Sequence, residues 1–493
     1  METEVIVVGG GPTGLMLAAE LGLAGVRTVV VEKLVERSGQ SKAGGLQPRT
    51  AEVLDQRGLL DNVLDRASAR HGAGGHFAAL PVPLDCRSWR TRHPWGVPIP
   101  QARVEEVLEK RVVEYGIPVL RGHELVALDQ DTEGVTGTVT GPDGEAVPLR
   151  GHYLVACDGA HSRVRKLVGV GFPGTAGTIS AVVSDIVLTS RSDAVPTTME
   201  HFSRHVRGKG GHWTALSPLD NGCYRLMFGS QSRVPRDTPV TLAEARTALQ
   251  AVYGEETDLQ ELRWASRFSN ASRQVDRYRV DRVFFAGDAA HIHLPVGGQG
   301  INLGIQDAVN LGWKLAARLR DRAGDALLDG YHAERHPVAA RVLNNTKAQG
   351  VLLNMIEDEN VAALRDIVLD LARTPDGNRY LAGMISGLDV RYGDSEHPLV
   401  GSRMPDLGLT TAVGPTRTYD LLRGGRGLLL ELDGEATLAG HARGRVDHVS
   451  ATVTEDWRDA VDARAVLVRP DGHVCWVAGA ESPEAALLHW FGR

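Results

Sequence analysis

The chain has 493 residues, which is long enough for two to four domains that each bury a core. A hydrophobic content of 42% and a charged content of 23% are typical of a globular protein in water. The net charge of −7, without any basic run, argues against a nucleic-acid partner, and no stretch is apolar enough to span a membrane.

The first residues, METEVIVVGGGPTG, are acidic where a secretory signal is basic, and they lead directly into a strand. The four cysteines are isolated and form no C-x-x-C, so we expect reduced thiols and a cytoplasmic protein. His291 and His293 lack further ligand residues at a useful spacing, and we therefore predict no metal site.

The first predicted elements are a strand, a glycine-rich turn, a helix and a second strand, in EVIVVGGGPTGLMLAAELGLAGVRTVVVEK. Gly9, Gly11 and Gly14 give the G-x-G-x-x-G pattern, in which the backbone approaches a pyrophosphate at the start of a helix. Glu32 ends the second strand, where a carboxylate can accept hydrogen bonds from a ribose. The pattern indicates a dinucleotide and does not distinguish FAD from NAD.

The middle of the chain has a second strand-to-helix turn, in YLVACDGAHSRVRKLVG. Taken alone, Asp158 and Ser162 are typical of residues that cap the following helix. Together with the glycine motifs on either side of it in the sequence, the D-G-x-x-S-x-x-R pattern favours a position at the ligand site.

A third turn, GDAAHIHLPVGGQGIN, lies between a predicted strand over 282–286 and a predicted helix from Ile301. Asp288 follows that strand, where it can bond a ribityl hydroxyl or, alternatively, form an Asx-turn or helix cap. The start of the helix can stabilise negative charge on a reduced flavin. A second ligand-binding element so far along the chain suits a ligand with two distant ends, which favours FAD.

Together, GGGPTG, CDGAHSRVR and GDAAHIHLPVGGQGIN resemble, in order and spacing, the single-component FAD-dependent aromatic hydroxylases, the family of p-hydroxybenzoate hydroxylase. Within that family, GGLQPRTAEVLDQRGLLD, GHFAALP and YHAERHPVAARVLNNTKAQG are similar to bacterial hydroxylases of aromatic polyketides such as angucyclines, anthracyclines and tetracyclines. The resemblance extends over essentially the whole chain.

The resemblance implies that FAD is held along its whole length, from the adenosine ribose through the pyrophosphate and ribityl chain to the isoalloxazine. Lys42 stands where relatives often have arginine, so that any contact it makes lacks the bidentate fork. The implied FAD-binding residues are Gly11, Pro12, Thr13, Gly14, Glu32, Lys42, Gln101, Asp158, Asp288, Pro295, Gly298, Gly300, Ile301 and Asn302.

The resemblance also implies a catalytic role for Arg49, which matches an arginine near the reactive edge of the flavin in relatives. A guanidinium there would favour oxygen transfer over the loss of hydrogen peroxide. The alternative is an arginine that pairs with a carboxylate and anchors the start of its helix. No general base is evident, because a histidine in a loop, such as His291 or His293, is more often part of a hydrogen-bonding scaffold.

The fold that the resemblance implies is α/β, with a Rossmann-like FAD-binding domain built from residues 1–75, 100–178 and 275–395. Residues 76–99 and 179–274 would form an inserted substrate domain with an antiparallel sheet.

The last segment, residues 396–493, resembles a thioredoxin-like domain that lacks C-x-x-C and therefore does no thiol–disulfide chemistry. Within the implied substrate domain, we predict that Phe77, Pro81 and Val82 line a large apolar cavity.

The reaction that the resemblance implies uses NADPH (or NADH) to reduce FAD, after which O₂ forms a flavin C4a-hydroperoxide that hydroxylates a polycyclic aromatic polyketide in antibiotic biosynthesis. A Baeyer–Villiger or rifampicin-type monooxygenase on the same scaffold is the alternative within the family. An FAD-binding protein without oxygenase activity is the alternative from another class. A flavin-dependent halogenase is disfavoured because W-x-W-x-I-P is missing. Either a monomer or a homodimer is compatible with these patterns.

Overall fold

The computed structural model describes a mixed α/β protein with several sheets. No described helix is long and apolar enough to cross a membrane. The described residues are 2–37, 39–72, 74–219, 222–230, 234–320, 323–353, 358–442, 444, 446–454, 461–479 and 481–492.

A mostly parallel sheet forms the centre of the first part of the fold. Its strands, numbered in chain order, are β1 (Val5–Val8), β2 (Thr28–Glu32), β5 (Val119–Arg121), β9 (Tyr153–Ala156), β17 (Arg279–Val280) and β18 (Val283–Phe285). They lie in the order β17-β18-β9-β1-β2-β5, and β17 alone is antiparallel to its neighbour. The apolar runs of β1 and β9 are buried along their whole length, as expected for central strands covered on both faces.

Helices cover this sheet and extend beyond it. The helix α7 packs closely on α1, because a Cβ on Gly312 of α7 would lie only 2.6 Å from the Cβ of Glu20. The helices of this part are α1 (Pro12–Leu23), α2 (Pro48–Asp55), α3 (Leu60–Leu64), α4 (Gln101–Glu114), α5 (Arg163–Val168), α7 (Gly300–Leu319), α8 (Asp325–Leu352), α9 (Glu359–Arg373) and α10 (Pro375–Ser386).

An antiparallel sheet lies within the segment predicted to form the inserted domain. Its strands are β11 (Ala181–Ser190), β12 (Val206–Lys209), β13 (His212–Pro218), β14 (Cys223–Ser230) and β15 (Asp258–Phe268), in the order β12-β13-β14-β11-β15. The helix α6 (Leu242–Tyr253) packs on one face, where Val182, Ile186 and Phe228 join Leu249 in an apolar core. The other face is turned away from α6.

The C-terminal segment has its own mixed sheet and core, consistent with the predicted thioredoxin-like fold. Its strands are β20 (Gly408–Thr411), β21 (Gly414–Arg417), β22 (Leu428–Glu431), β23 (Asp447–Val453), β24 (Ala465–Val468) and β25 (Val474–Val477). They lie in the order β21-β20-β23-β22-β24-β25, with β22 and β23 parallel. The helices of this segment are α11 (Thr418–Leu421), α12 (Ala439–Ala442) and α13 (Pro483–Phe491).

Short strands connect these parts. The pair β3 (Gly45–Leu46) and β4 (Val97–Pro98) is antiparallel, as is the hairpin sheet of β6 (Glu124–Gln130), β7 (Val135–Thr140) and β8 (Ala146–Gly151). The third small sheet contains β10 (Gly174–Thr175), β16 (Ser272–Gln274) and β19 (His291–Ile292), and its central strand β16 brings the end of the inserted segment next to the residues after Asp288.

Candidate functional site

The turn between β1 and α1 packs directly on the end of β9. A Cβ on Gly14 would lie 2.0 Å from the carbonyl oxygen of Gly9, and a Cβ on Gly9 would lie 2.3 Å from the carbonyl oxygen of Cys157. Gly9 has a φ of 111°, which residues with a Cβ rarely adopt. The first motif therefore needs glycine at both positions so that helix, turn and strand can meet.

The second and third motifs meet the first at the same edge of the sheet. Arg165 of the second motif donates a hydrogen bond from Nη1 to the carbonyl oxygen of Ala289, 3.0 Å away. The hydroxyl oxygen of Thr13 lies 2.6 Å from where a Cβ of Gly287 would be, and 2.3 Å from that of Gly304. The three motifs thus converge at the carboxyl ends of the parallel strands, where α/β folds bind nucleotides.

The start of α1 is open for a phosphate. Apart from its chain neighbours, no described residue has an atom within 4 Å of where a Cβ on Gly11 would be, and no described side chain caps the N-terminus of this helix. Glu32 accepts hydrogen bonds from the backbone N–H groups of Gly10, at 2.7 Å, and Leu34, at 2.8 Å, which hold its carboxylate beside the turn. An uncapped helix N-terminus with a fixed carboxylate beside it fits the pyrophosphate and ribose of a dinucleotide.

The third motif provides the other end of the site. Asp288 is exposed, and its carboxylate makes no hydrogen bond or salt bridge to any described residue. Gly298 is also exposed, with a φ of 62°, and no side chain caps the start of α7 at Gly300. A free carboxylate and a second uncapped helix N-terminus fit the ribityl chain and the flavin. The residues present therefore fit FAD.

Gln47 forms two hydrogen bonds with the residues from 295 to 302, which we call the 295–302 loop. The backbone N–H of Gln47 donates to Oδ1 of Asn302 at 2.7 Å, and its Nε2 donates to the carbonyl oxygen of Gly297 at 2.8 Å. Asn302 in turn donates to the carbonyl oxygen of Gly298 at 2.7 Å. Asn302 is 3% exposed, so it supports the loop with its side chain, while Pro295 is exposed and Ile301 half-buried. Sequence reasoning missed Gln47.

Gln101 connects α4 to the segment that contains Lys42. Its Oε1 accepts a hydrogen bond from the backbone N–H of Ala43 at 3.3 Å, and its Nε2 donates to Glu105 at 2.8 Å. The side chain of Lys42 is exposed on the same segment. Both residues are adjacent to the small β3–β4 pair, and their contact with FAD remains a prediction.

Asp158 caps a helix in this structure. Its Oδ2 accepts hydrogen bonds from the backbone N–H groups of Arg163, at 2.6 Å, and Val164, at 3.1 Å, while Ser162 accepts from that of Arg165 at 3.0 Å. These contacts match the capping interpretation of the second motif. A direct contact between Asp158 and FAD remains a prediction.

Arg49 is buried against the C-terminal segment. Its guanidinium donates to Glu52 at 3.0 Å and to the carbonyl oxygen of Asp471 in the C-terminal segment at 2.9 Å, and it is only 2% exposed. Glu52 also pairs with Arg403 at 2.9 Å. These contacts support the interpretation of Arg49 as an anchor of its helix, and its catalytic role remains a prediction.

A buried charge network lies behind the third motif. Asp307 of α7 accepts hydrogen bonds from His291 Nε2, at 2.7 Å, from Arg335 Nε, at 2.7 Å, and from the backbone N–H of Gly287, at 3.2 Å. Burial opposes ionisation of Asp307, but the charges of Arg335 and His291 outweigh it and lower its pKa. These contacts match the interpretation of His291 as part of a scaffold. Sequence reasoning missed Asp307 and Arg335, although a charged residue inside an apolar helical run signals a buried ion pair.

The face of the inserted sheet opposite α6 carries a polar cluster among apolar side chains. Strand register places Asp185 opposite both Arg225 and Trp264, and Val183 opposite Met227. Asp185 accepts hydrogen bonds from Arg225 Nε at 2.7 Å and from the Trp264 indole at 2.6 Å. Sequence reasoning missed this cluster, because pairing across three strands is not visible in any one of them.

This face is turned towards the FAD site. Nη1 of Arg225 lies 3.9 Å from where a Cβ on Gly44 would be, two residues after Lys42. Trp213 lies on the same face, since a Cβ on Gly229 would meet its indole at 2.7 Å. The sheet therefore places Arg225 next to the segment that leads to Gln47, on the face that also carries Trp213 and Trp264.

The residues predicted to line the cavity are placed differently from one another. Phe77 is 7% exposed and packs in an apolar cluster with Leu381 and Ile385 of α10, whereas Pro81 is exposed and Val82 half-buried. The contacts of Phe77 are those of a core residue, and a lining role for all three remains a prediction.

The adjacent His76, which the sequence analysis did not select, has an environment suited to binding. It stacks on Phe202 with the ring centroids 4.4 Å apart and the planes at 15°. Burial, reinforced by the charge of His201, lowers the pKa of His76 to about 4, so that its ring is neutral at pH 7.

Comparison with known proteins gives the same assignment along the whole chain. An FAD binding domain family model matches residues 2–346, and an aromatic-ring hydroxylase C-terminal domain model matches residues 397–493. The chain is 46% identical over 508 residues to the 12-dehydrotetracycline 5-monooxygenase/anhydrotetracycline 6-monooxygenase of Streptomyces rimosus, covering 100% of this chain and 99% of that protein. The solved structure of the anhydrotetracycline hydroxylase OxyS from Streptomyces rimosus matches with a TM-score of 0.92 and 44% identity, covering 100% of both chains.

Two further relatives are similar over almost their full length. Rifampicin monooxygenase of Streptomyces venezuelae is 44% identical, covering 99% of this chain and 98% of that protein. Dialkyldecalin synthase of Streptomyces rugosporus is 38% identical, covering 100% of this chain and 99% of that protein. With the converging motifs and the two domain matches, these similarities show that the chain belongs to the FAD-dependent aromatic hydroxylases, a family of flavoprotein monooxygenases.

Proposed function

We propose that this protein hydroxylates a polycyclic aromatic polyketide, with FAD as its cofactor and NADPH and O₂ as co-substrates. The observation that carries the proposal is that a sheet face bearing Trp213, Trp264 and Arg225 approaches, through Arg225, the segment beside the three converging motifs. Flat aromatic side chains suit a flat, fused-ring substrate. The similarity to a monooxygenase that is named for anhydrotetracycline supports the same substrate class.

The bound FAD supplies the redox chemistry that activates O₂, and the residues of this chain hold and orient it. Glu32 would accept hydrogen bonds from the adenosine ribose, and the open turn at Gly11 would receive the pyrophosphate. Asp288 would bond the ribityl chain. The uncapped start of α7 at Gly300 would lie near the flavin, where the positive end of the helix favours negative charge.

The sheet face would supply the substrate side of the site. Val183 and Met227 would exclude water, which strengthens polar interactions and limits the unproductive release of peroxide. His76 would add a hydrogen-bond donor, because its Nδ1 accepts the backbone N–H of Ala79 at 3.2 Å and leaves the proton of the neutral ring on Nε2.

The test uses the purified protein with FAD, NADPH and anhydrotetracycline as the probe. We expect the probe to stimulate NADPH oxidation and O₂ consumption, and we expect mass spectrometry to find a product that has gained one oxygen atom. If anhydrotetracycline and other fused-ring phenols neither stimulate NADPH oxidation nor gain oxygen, the proposed substrate class is wrong.

A second candidate function is supported by the likeness to dialkyldecalin synthase, whose name indicates no oxygenation. On that alternative, the protein would convert its substrate without consuming NADPH or O₂. Rifampicin monooxygenase supports a third candidate, oxygenation of rifampicin or a similar compound, which parallel assays with rifampicin would reveal.

We also propose that the enzyme acts in the cytoplasm, where NADPH is supplied. Its four cysteines are free thiols, which supports a reducing compartment. The homodimer stays a prediction, and sedimentation of the purified protein tests it.

A further inference from the structure

Two consecutive alanines next to the FAD site have an unfavourable backbone conformation. Ala78 and Ala79 have φ values of 49° and 50°, in the left-handed region that residues with a Cβ rarely adopt. Both belong to the segment of residues 76–82, which we call the 76–82 loop, and both are buried. A conformation of this kind persists only where surrounding contacts enforce it, and such positions cluster at functional sites.

Besides His76, which accepts the backbone N–H of Ala79, two polar side chains from other elements hold this conformation. Arg365 of α9 donates hydrogen bonds from its two terminal nitrogens to the carbonyl oxygens of Ala78, at 2.8 Å, and Ala79, at 2.9 Å. Gln349 of α8 accepts the backbone N–H of Ala78 at 2.8 Å. The loop is therefore held on both its donor and its acceptor side.

Gln349 also begins a chain of buried amides that ends in the 295–302 loop. Its Nε2 donates to Oδ1 of Asn345 at 2.7 Å, and Nδ2 of Asn345 donates to Oε1 of Gln299 at 2.9 Å. The three amides are between 0% and 5% exposed, so water does not compete for these bonds. Nε2 of Gln349 lies 3.6 Å from where a Cβ on Gly297 would be, which places it against the loop itself.

We propose that Asn345 and Gln349 are positioning residues that couple the 295–302 loop to the 76–82 loop. When FAD orders the 295–302 loop, Gln299 is fixed, and the amide chain fixes the backbone of Ala78 in turn. The substrate-facing role of the 76–82 loop rests on the proposed function, whereas the coupling between the two loops does not. None of these amides touches the reacting atoms on this proposal, and their effect is on where the loop and His76 lie.

Hydrogen exchange measured by mass spectrometry tests the coupling without any substrate. In the wild-type protein, we expect the addition of FAD to slow exchange in the peptide that covers residues 76–82 by about tenfold, which corresponds to about 1.4 kcal/mol. Asn345→Ala cuts the chain in its middle and leaves the bond between Gln349 and Ala78 in place. We expect this variant to bind FAD within about threefold of wild type and to lose the slowing.

Asn310→Ala is the matched control, because Asn310 is another buried amide, hydrogen-bonded to Glu334 and Lys314, outside the chain. We expect it to keep the slowing even if its melting temperature falls. Gln349→Ala should also lose the slowing of exchange. The double variant with Asn345→Ala should lose no more than either single variant, because mutations within one chain of hydrogen bonds are not additive. The coupling is refuted if Asn345→Ala retains the slowing, or if FAD leaves this peptide unchanged in the wild type.

The consequence for the reaction is measured separately. With anhydrotetracycline as the probe, we expect Asn345→Ala to lower the ratio of product to NADPH consumed severalfold, while Asn310→Ala leaves it unchanged. If the exchange experiment succeeds and the product ratio does not move, the coupling stands, and the role assigned to the 76–82 loop under the proposed function fails.

Discussion

Asp288 offers a direct test of the FAD site, because its exposed carboxylate makes no hydrogen bond within the described structure. Asp288→Ala should therefore leave the melting temperature of the FAD-free protein unchanged. It should weaken FAD binding roughly 10- to 150-fold, corresponding to the loss of a charge-assisted hydrogen bond of about 1.5–3 kcal/mol. Fluorescence titration with FAD measures the effect, and Asp143→Ala, in an exposed turn, is the control. Wild-type affinity would make Asp288 only a turn residue.

For Arg49, the contacts support a role as an anchor of its helix, whereas the resemblance implies a catalytic role. Its guanidinium bonds Glu52 and the backbone of Asp471, so Arg49→Ala leaves a buried carboxylate with Arg403 as its remaining charged partner. We expect the protein to lose about 3 kcal/mol of stability and to keep its ratio of product to NADPH consumed. Arg49→Lys retains the charge but loses the two-pronged hydrogen bonding of the guanidinium, so its stability should lie between those of the wild type and Arg49→Ala.

The catalytic role of Arg49 predicts a different result. If Arg49→Ala melts at the wild-type temperature and releases mostly hydrogen peroxide, the guanidinium acts beside the flavin, as the resemblance implies. Calorimetry and a peroxide assay on the same preparation distinguish the two outcomes.

At the scale of an element, the turn between β1 and α1 contains two kinds of glycine. Packing of the fold requires Gly9 and Gly14, whereas we expect FAD binding to require Gly11. A Cβ on Gly14 would overlap the carbonyl oxygen of Gly9, whereas a Cβ on Gly11 would have only its chain neighbours within 4 Å among the described residues, and the φ of Gly11 is an ordinary −79°. Gly14→Ala should thus destabilise the FAD-free protein by roughly 1–3 kcal/mol or more. Gly11→Ala should change stability by no more than about 0.5 kcal/mol.

Gly11→Ala should nevertheless weaken FAD binding by about tenfold or more, because the added methyl group occupies the space through which a pyrophosphate approaches the backbone. Melting curves and FAD titrations of both variants test this contrast. Equal FAD affinity for Gly11→Ala and wild type would place the pyrophosphate elsewhere.

At the scale of the whole molecule, buried charges join the C-terminal segment to α7 and α8. Arg469 donates to both carboxylate oxygens of Glu334, at 2.6 and 2.8 Å, and Lys314 donates to one of them at 2.8 Å. The indole of Trp313 donates to Asp471 at 3.2 Å. Through these contacts, the C-terminal segment stabilises the position of α7, the helix that starts at the FAD site.

This junction predicts a dependence of stability on pH. Burial opposes ionisation of Glu334, but Arg469 and Lys314 outweigh it and lower its pKa from 4.5 to about 2. Because the pKa is lower in the folded state, the stabilisation is complete above pH 4.5 and is lost as the pH falls to about 2. The shift corresponds to about 3 kcal/mol.

Glu334→Gln should therefore lower the melting temperature at pH 7 and flatten its decline between pH 5 and pH 2. Melting curves of both proteins across this range test the prediction. Parallel curves for the variant and the wild type would show that other carboxylates cause the acid sensitivity. Asp143→Asn, in an exposed turn, is the control.

Much of the fold and the cofactor could be predicted from local sequence. The spacing of Gly9, Gly11 and Gly14 reflects a steric requirement within one turn, and the apolar runs of β1 and β9 reflect burial on both faces. Requirements of this kind act between near neighbours in the chain, and they leave a readable pattern. The α/β class, FAD as the cofactor and the family were therefore determined by the sequence alone.

The partners of side chains that are distant in sequence were decided by the tertiary structure. Whether Arg49 faces the flavin or Asp471, and whether Asp185 meets Arg225 and Trp264, depends on how separate elements pack. The same holds for the amide chain from Gln299 to Ala78. A hydrogen bond between residues hundreds of positions apart leaves no periodicity in the chain, because its geometry exists only after the sheets and helices have been brought together.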